Sequence, residues 1–494
     1  MINLSAFRPI IPTMQSHLAL FLTAAFTTLI LSASPLPASG AEQINLPDIG
    51  ESAGTLLTPE QEQLMGKEFM RSVRASLTLL DDPLIEDYLQ SLGERLVSQV
   101  DDFDGKISLF LINDPSINAF AGPGGYIGVH TGLILAAETE DELASVLAHE
   151  LAHVVQRHIF RSIEASQHLE LSTMATMIAA IILGSKSPAA TEAILSSGMA
   201  GAAQQQLTFS RQHEQEADRV GLDMMSRAGF NPRQMVAFFE ILQKSGRYAD
   251  LQAMEFLQTH PLTLSRIADT RNRAEQYPTS PVNDSLVFDL IRARTAFLTK
   301  TTVKRPDSSN IPLAAQRYYE LLDLHRQGKT SAALEILTDL QKTDRPRVIY
   351  YLTQAELERA TDHPDRAETA LRQGLRLFPN NYPLSYLLAE ILLDNGKATE
   401  AKELLQEQLR LQPRRSLYAL HSRAAKADGH DAEAYVSLAD LYYYDGNTLQ
   451  AIDYLSKAVE LQKLSKHDQL ASKAQLEQWK SEQQAQAKQV KTEK

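Results

Sequence analysis

The tightest constraint on this chain is the stretch Thr139 to His158, TEDELASVLAHELAHVVQRH, centred on His149-Glu150-Leu151-Ala152-His153. Thr139 followed three residues later by Glu142 is a capping box. Leu143, Val146, Leu147, Leu151, Val154 and Val155 then recur at the spacing of a helix with one buried face. On such a helix His149 and His153 lie one turn apart on one side, so two imidazoles reach one ion while Glu150 points at its rim. The pattern H-E-x-x-H is that of a zinc site.

A hydrolytic zinc site needs three protein ligands and one open position for water, so the two histidines require a partner from elsewhere. His158, His168, His213, Glu214, Glu216 and Asp218 are the candidates. His158 is five residues past His153, on a different side of the same helix, and is expected to be a solvated or capping histidine. Glu214 and Asp218 are one turn apart on a helix opening at SRQHEQEAD. That spacing lets Glu214 coordinate while Asp218 orients a histidine through its distal ring N–H, although such a pair is more commonly an exposed helix face.

HELAH followed about sixty residues later by SRQHEQEAD resembles the gluzincin metallopeptidase family that includes HtpX and the CAAX prenyl proteases. Asn118-Ala119-Phe120-Ala121, Pro123-Gly124-Gly125, His260-Pro261 and Arg266 match the same family, and the likeness covers roughly residues 58 to 275. The resemblance implies His149, His153 and Glu214 as ligands of one zinc ion, Glu150 as the general base and Asp218 as the supporting carboxylate. His260, before a proline and so biased towards an extended loop, would contact substrate or occupy the open coordination position and inhibit the enzyme. Arg266 would bind a substrate backbone or an acidic neighbour.

Before this helix, two helical stretches from about Thr58 lead to a strand, ISLFLI at Ile107 to Ile112, and a second, YIGVHTG, after the turn-rich Ala121 to Gly125. A small sheet is therefore expected beside the zinc helix, with an edge that could pair with an extended peptide. The apolar MATMIAAIILG from Met174 to Gly184 is too short to span a bilayer and suits a buried helix or a lid.

The first 41 residues read as a signal peptide. Leu18 to Leu31 is an apolar run of the right length, and small residues Ser39 and Ala41 place cleavage near Ala41. The weak positive flank keeps an uncleaved anchor as the alternative. A polar lead-in occupies 42–57. With no cysteine the chain has neither disulfides nor thiolate metal sites, and a net charge of −13 argues against nucleic acid or an anionic membrane surface as the main partner.

At 494 residues the chain is too long for one core. The peptidase domain is expected over 58–275, a linker over 276–311, and repeats over 312–465 with a polar tail, 466–494, fraying into solvent. Ala333, Ala367 and Ala401 are 34 residues apart, Ala355 and Ala389 keep that period, and Pro379 and Pro413 close two units. The pattern resembles tetratricopeptide repeats. Ala439 and Ala451 come 16 residues late, which reads as a lengthened helix pair in a fourth repeat.

The fold class is therefore mainly α, an α+β zincin domain followed by an α-solenoid. This order resembles exported proteases that assist outer-membrane β-barrel assembly. It implies a periplasmic enzyme acting on misfolded or stalled β-barrel proteins, with chaperone-like activity and contact with the barrel assembly machinery through the repeats, and it allows peripheral membrane association. The competing readings are a repeat scaffold or chaperone with minor proteolysis, and an anchored housekeeping peptidase.

Overall fold

The structure is a computed structural model that describes residues 58–101, 103–164, 211–247, 256–278, 281, 285–301 and 311–492. The expected signal peptide, lead-in and Met174–Gly184 helix lie outside the described residues.

Thr58 starts helix α1 (Pro59–Ser76): its hydroxyl accepts from the N–H of Gln61, and the Gln61 side chain accepts from the N–H of Thr58 at 2.8 Å. Pro59 at the first position costs nothing, because its missing N–H would have no helical partner. Asp82 caps α2 (Pro83–Val97) in the same way through Ile85 N–H. The sheet that follows has three strands in the order β1 (Ser108–Ile112), β3 (Tyr126–His130), β2 (Ala119–Ala121). β1 runs parallel to β3 and β2 antiparallel to it. The two expected strands are present; β2, only three residues long, carries no alternation that a sequence could reveal. Gly125 has φ +76° and no room for a Cβ, which would stand 2.0 Å from the carbonyl oxygen of Lys106. Only glycine makes the turn into β3 at that place.

Helix α3 (Thr131–Ala136) leads to the central helix α4 (Glu140–Val155). Thr139 caps it through Glu142 N–H, but the Glu142 carboxylate reaches past Thr139 and accepts from Glu138 N–H at 2.6 Å, so the box closes one residue early. Every residue from Glu140 to His153 is buried, with Leu143, Leu147 and Leu151 in the main core. The helix does not continue to His158 as its pattern suggests. It ends at Gln156, Arg157 takes a left-handed conformation (φ 53°), and α5 (His158–Glu164) sets off afresh. Helices α6 (Arg211–Arg227), α7 (Arg233–Arg247) and α8 (Leu264–Ala274) follow among the described residues. α6 lies closely on α4 because Gly221 presents no side chain to Ala148, whose backbone a Cβ would meet at 3.3 Å.

The linker carries helix α9 (Leu286–Leu298), whose Phe288, Leu290 and Ile291 are buried in the same core. Three helix pairs follow: α10 (Leu313–Arg326) with α11 (Thr330–Thr343), α12 (Val348–Ala360) with α13 (Pro364–Leu377), and α14 (Tyr382–Asp394) with α15 (Ala398–Leu411). The alanines of the 34-residue period are fully buried where these helices touch. The register break is not a lengthened pair. It is a separate helix, α16 (Arg415–Ala427), and its turn, after which α17 (Asp431–Tyr444) and α18 (Thr448–Glu460) resume the repeat. The polar tail is a helix, α19 (Lys466–Thr492), and it does not lie free in solvent: Leu476 and Trp479 are buried, and the indole stacks on Tyr443 at 4.3 Å. Among the described residues no helix is long and apolar enough to cross a membrane.

The repeats fold back on the peptidase domain. Arg414 pairs with Asp87 at 2.9 Å, Arg74 and Arg415 share Asp445, and the Lys67 ammonium sits 3.6 Å from the Tyr443 ring centre. At this contact burial, then the nearby charge of Asp81, push the Glu86 carboxyl up to about 8, with Arg414 opposing. The folded chain thus holds a proton that the unfolded chain releases near 4.5, so this group's stabilisation is complete below that pH and is lost as pH rises towards 8. Glu86→Gln should therefore raise the melting temperature by an amount that grows between about pH 5 and pH 8. A pH-independent gain, or a loss at about pH 8, would contradict this.

Candidate metal centre

Helix α4 directs His149 and His153 towards α6, which presents Glu214 and Asp218 from its first turns. The Nε2 atoms of the two histidines stand 3.1 Å apart, and each is 3.5 Å from a Glu214 carboxylate oxygen. His260 enters from the segment before α8, its N–H donating to the Phe256 carbonyl at 2.8 Å. Its Nδ1 lies 3.0 Å from Glu214 Oε1 and 3.3 Å from His149 Nε2. All four side chains are buried, and one ligand atom from each falls within 4.8 Å of every other.

These separations fit a metal ion. Four ligand atoms held tetrahedrally about 2.0–2.2 Å from zinc stand about 3.3–3.6 Å from one another. Two imidazole lone pairs and a carboxylate converging in a buried cluster suit a cation.

The surrounding groups hold these four in place. Asp218 Oδ1 lies 3.0 Å from His149 Nδ1, and Asp218 also accepts from Nε and Nη2 of Arg266 at 2.8 and 2.9 Å. The same guanidinium donates to Glu214 Oε2 at 2.6 Å and to the Pro261 carbonyl. Arg266 is only 3% exposed, so here it meets acidic neighbours. Glu150 is fully buried beside the cluster. Its Oε2 accepts from Ala121 N–H in β2 at 2.9 Å, while Oε1 makes no hydrogen bond among the described residues and lies 3.4 Å from His260 Nε2.

Charge follows from this packing. Burial opposes ionisation of Glu214, but His260 and His149 outweigh it and hold the carboxyl well below its usual range. Burial, with the charge of His149, drives His153 well below the usual imidazole value. His149 is also opposed by burial, yet Asp218 and Glu214 raise it to about 9. Burial raises Glu150, partly offset by His260 and His149. A carboxylate with a raised affinity for protons, facing a cluster that can polarise a bound group, is suited to accept a proton and give it back.

Sequence reasoning brought His149, Glu150, His153, Glu214, Asp218, His260 and Arg266 into consideration, and all seven meet here. It misplaced His158, which is buried against His153 with their Nδ1 atoms 2.8 Å apart. The left-handed residue Arg157 turns it back, and no glycine marked that turn. His213 lies beside His158 and away from the metal-site quartet, and His168 lies outside the described residues.

Residues 83–274 match the pattern of peptidase family M48, and residues 358–423 and 432–463 match tetratricopeptide repeats. The beta-barrel assembly-enhancing protease of Escherichia coli K12 is 33% identical over 475 residues, covering 94% of this chain and 96% of the relative. The protein of that name from Yersinia pestis is 33% identical over 88% of this chain and 91% of its own length. The mitochondrial metalloendopeptidase OMA1 of Schizosaccharomyces pombe matches 36% of this chain and half of its own length at 33% identity.

Proposed function

The chain belongs to the family of the beta-barrel assembly-enhancing proteases, M48 metallopeptidases ending in tetratricopeptide repeats, and on that premise we propose a periplasmic zinc endopeptidase that cleaves misfolded or stalled outer-membrane β-barrel proteins. His149, His153 and Glu214 hold one zinc ion, Glu150 is the general base and Asp218 fixes His149. The observation that carries this reading is Glu150: one oxygen is tethered by Ala121 N–H and the other faces the ligand cluster.

Zinc bound there supplies Lewis acidity towards the scissile carbonyl and brings the attacking water's pKa to about 7. The Ala121 tether holds Glu150 so that its second oxygen can take the water's proton and return it to the leaving amine. Among the described residues β2 has β3 as its neighbour on one side only, and an extended, unfolded peptide would add beside it. β-Rich chains that have not yet folded offer such strands. The repeats supply contact with the barrel assembly machinery and chaperone-like holding of its clients, and the N-terminal signal peptide directs export and is cleaved near Ala41.

His260 stands between the ligands and the base, where water and substrate must enter, and acts as an internal block. His260→Ala should speed cleavage of an unfolded outer-membrane β-barrel protein several-fold over wild type, read as product bands against time. Equal or slower cleavage by the variant, with its zinc content intact, would overturn the block. No cleavage of that substrate by either protein, alongside cleavage of unrelated unfolded chains, would overturn the substrate class.

A further inference from the structure

The mechanism gives His158 no part, yet its side chain is wholly buried directly behind His153. Had α4 continued, a residue five positions past His153 would face another side. The left-handed Arg157, ion-paired to Glu62 of α1, instead reverses the chain and returns the imidazole to its neighbour.

Proton accounting fixes the direction of each hydrogen bond. His153 needs the lone pair on Nε2 for a cation, so as a neutral imidazole it carries its proton on Nδ1. That atom is 2.8 Å from Nδ1 of His158, which must accept. His158 then carries its own proton on Nε2, 3.1 Å from Glu216 Oε2, where the carboxylate accepts it. The same oxygen takes Nη1 of Arg161 at 3.0 Å. His213, stacked on His158 at 4.4 Å and 11°, restrains the plane of the ring.

We infer that His158 is the positioning residue of His153: with Glu216 and Arg161 behind it, it fixes the tautomer and orientation of this ligand, as Asp218 does for His149. Metal ligands that lose such a partner typically hold their ion 10–100-fold more weakly. The two histidine ligands thus have unlike supports, a carboxylate for His149 and a neutral imidazole for His153. The inference rests on the reading of His153 as a ligand.

The test measures zinc affinity of the full chain by competition with a chromogenic chelator, and the visible spectrum of the cobalt-loaded protein, for His158→Phe, His158→Asn, Glu216→Ala and His153→Ala. Phenylalanine keeps a ring but no acceptor, and should weaken zinc by about 10–100-fold and shift the cobalt bands. Asparagine can place its carbonyl oxygen near the Nδ1 position, and should restore affinity to within roughly threefold of wild type. Wild-type affinity and spectrum in a folded His158→Phe protein would overturn the inference, as would equal weakening by phenylalanine and asparagine, which would mark a packing role only. Should His158→Phe fail to fold, Glu216→Ala, whose side chain is 35% exposed, carries the test: a smaller loss in the same direction is expected, and unchanged affinity overturns the inference. Wild-type affinity in His153→Ala would remove the ligand assignment itself. A large loss there with none in His158→Phe would count against His158 alone.

Discussion

Glu150→Gln should abolish peptide hydrolysis, with a loss of about 10²–10⁴-fold in kcat and no loss of bound metal. The amide keeps the size of the carboxylate, and its oxygen can still accept from Ala121 N–H, so the link between α4 and β2 survives. What disappears is a group that takes a proton from water and returns it to the leaving amine. Burial disfavours the charged carboxylate at this place, so replacing it with a neutral amide leaves the melting temperature equal or higher. Hydrolysis by the variant within tenfold of wild type, with product verified by mass spectrometry, would remove Glu150 from the chemistry. A lowered melting temperature would show instead that the change had damaged the fold.

Arg294→Ala should cost about 3–5 kcal/mol of unfolding free energy. Arg294 lies on α9 between the two halves of the molecule and is 6% exposed. It donates from Nε and Nη2 to the Asp82 carboxylate at 3.0 and 2.7 Å, and from both Nη atoms to Glu356 of α12 at 2.9 and 2.6 Å. The two acids respond unequally when the guanidinium is removed. Glu356, with 36% of its side chain exposed, returns to water, whereas Asp82, with 6%, is left as a buried charge. Its hydrogen bond from Ile85 N–H is too little to hold that charge. Adding Asp82→Asn should therefore recover part of the loss, since asparagine still caps α2 without the charge. Chemical denaturation of the three proteins decides the matter. A loss under about 1 kcal/mol for Arg294→Ala, or no recovery in the double variant, would contradict this account.

The metal site was legible in the sequence because its parts obey one rule: positions one turn apart share a face. That places His149 with His153 and Glu214 with Asp218, though only the family likeness tied the second pair to the first. Periodicity also exposed the repeats, since alanines 34 residues apart must fill equivalent close contacts. What escaped was set by tertiary packing. Arg157 breaks α4 in a conformation that costs an arginine energy and is held by its neighbours, so His158 looked like the far side of a continuing helix. β2 is too short to alternate. In the tail, Leu476 and Trp479 are three residues apart on one helix face, an apolar pair hidden in a Gln/Lys-rich composition that reads as solvated. The 16-residue shift before Ala439 was visible, but its meaning was not, because an added helix and a lengthened pair displace the later alanines equally.

His149, His153 and Glu214 are together proposed to hold one zinc ion. The most direct measurement is zinc per chain by inductively coupled plasma mass spectrometry, after dialysis against a weak chelator, for wild type and Glu214→Ala. One zinc per wild-type chain and next to none in the variant is the expected result. Wild-type protein without zinc, or a variant that keeps a full equivalent, would contradict it.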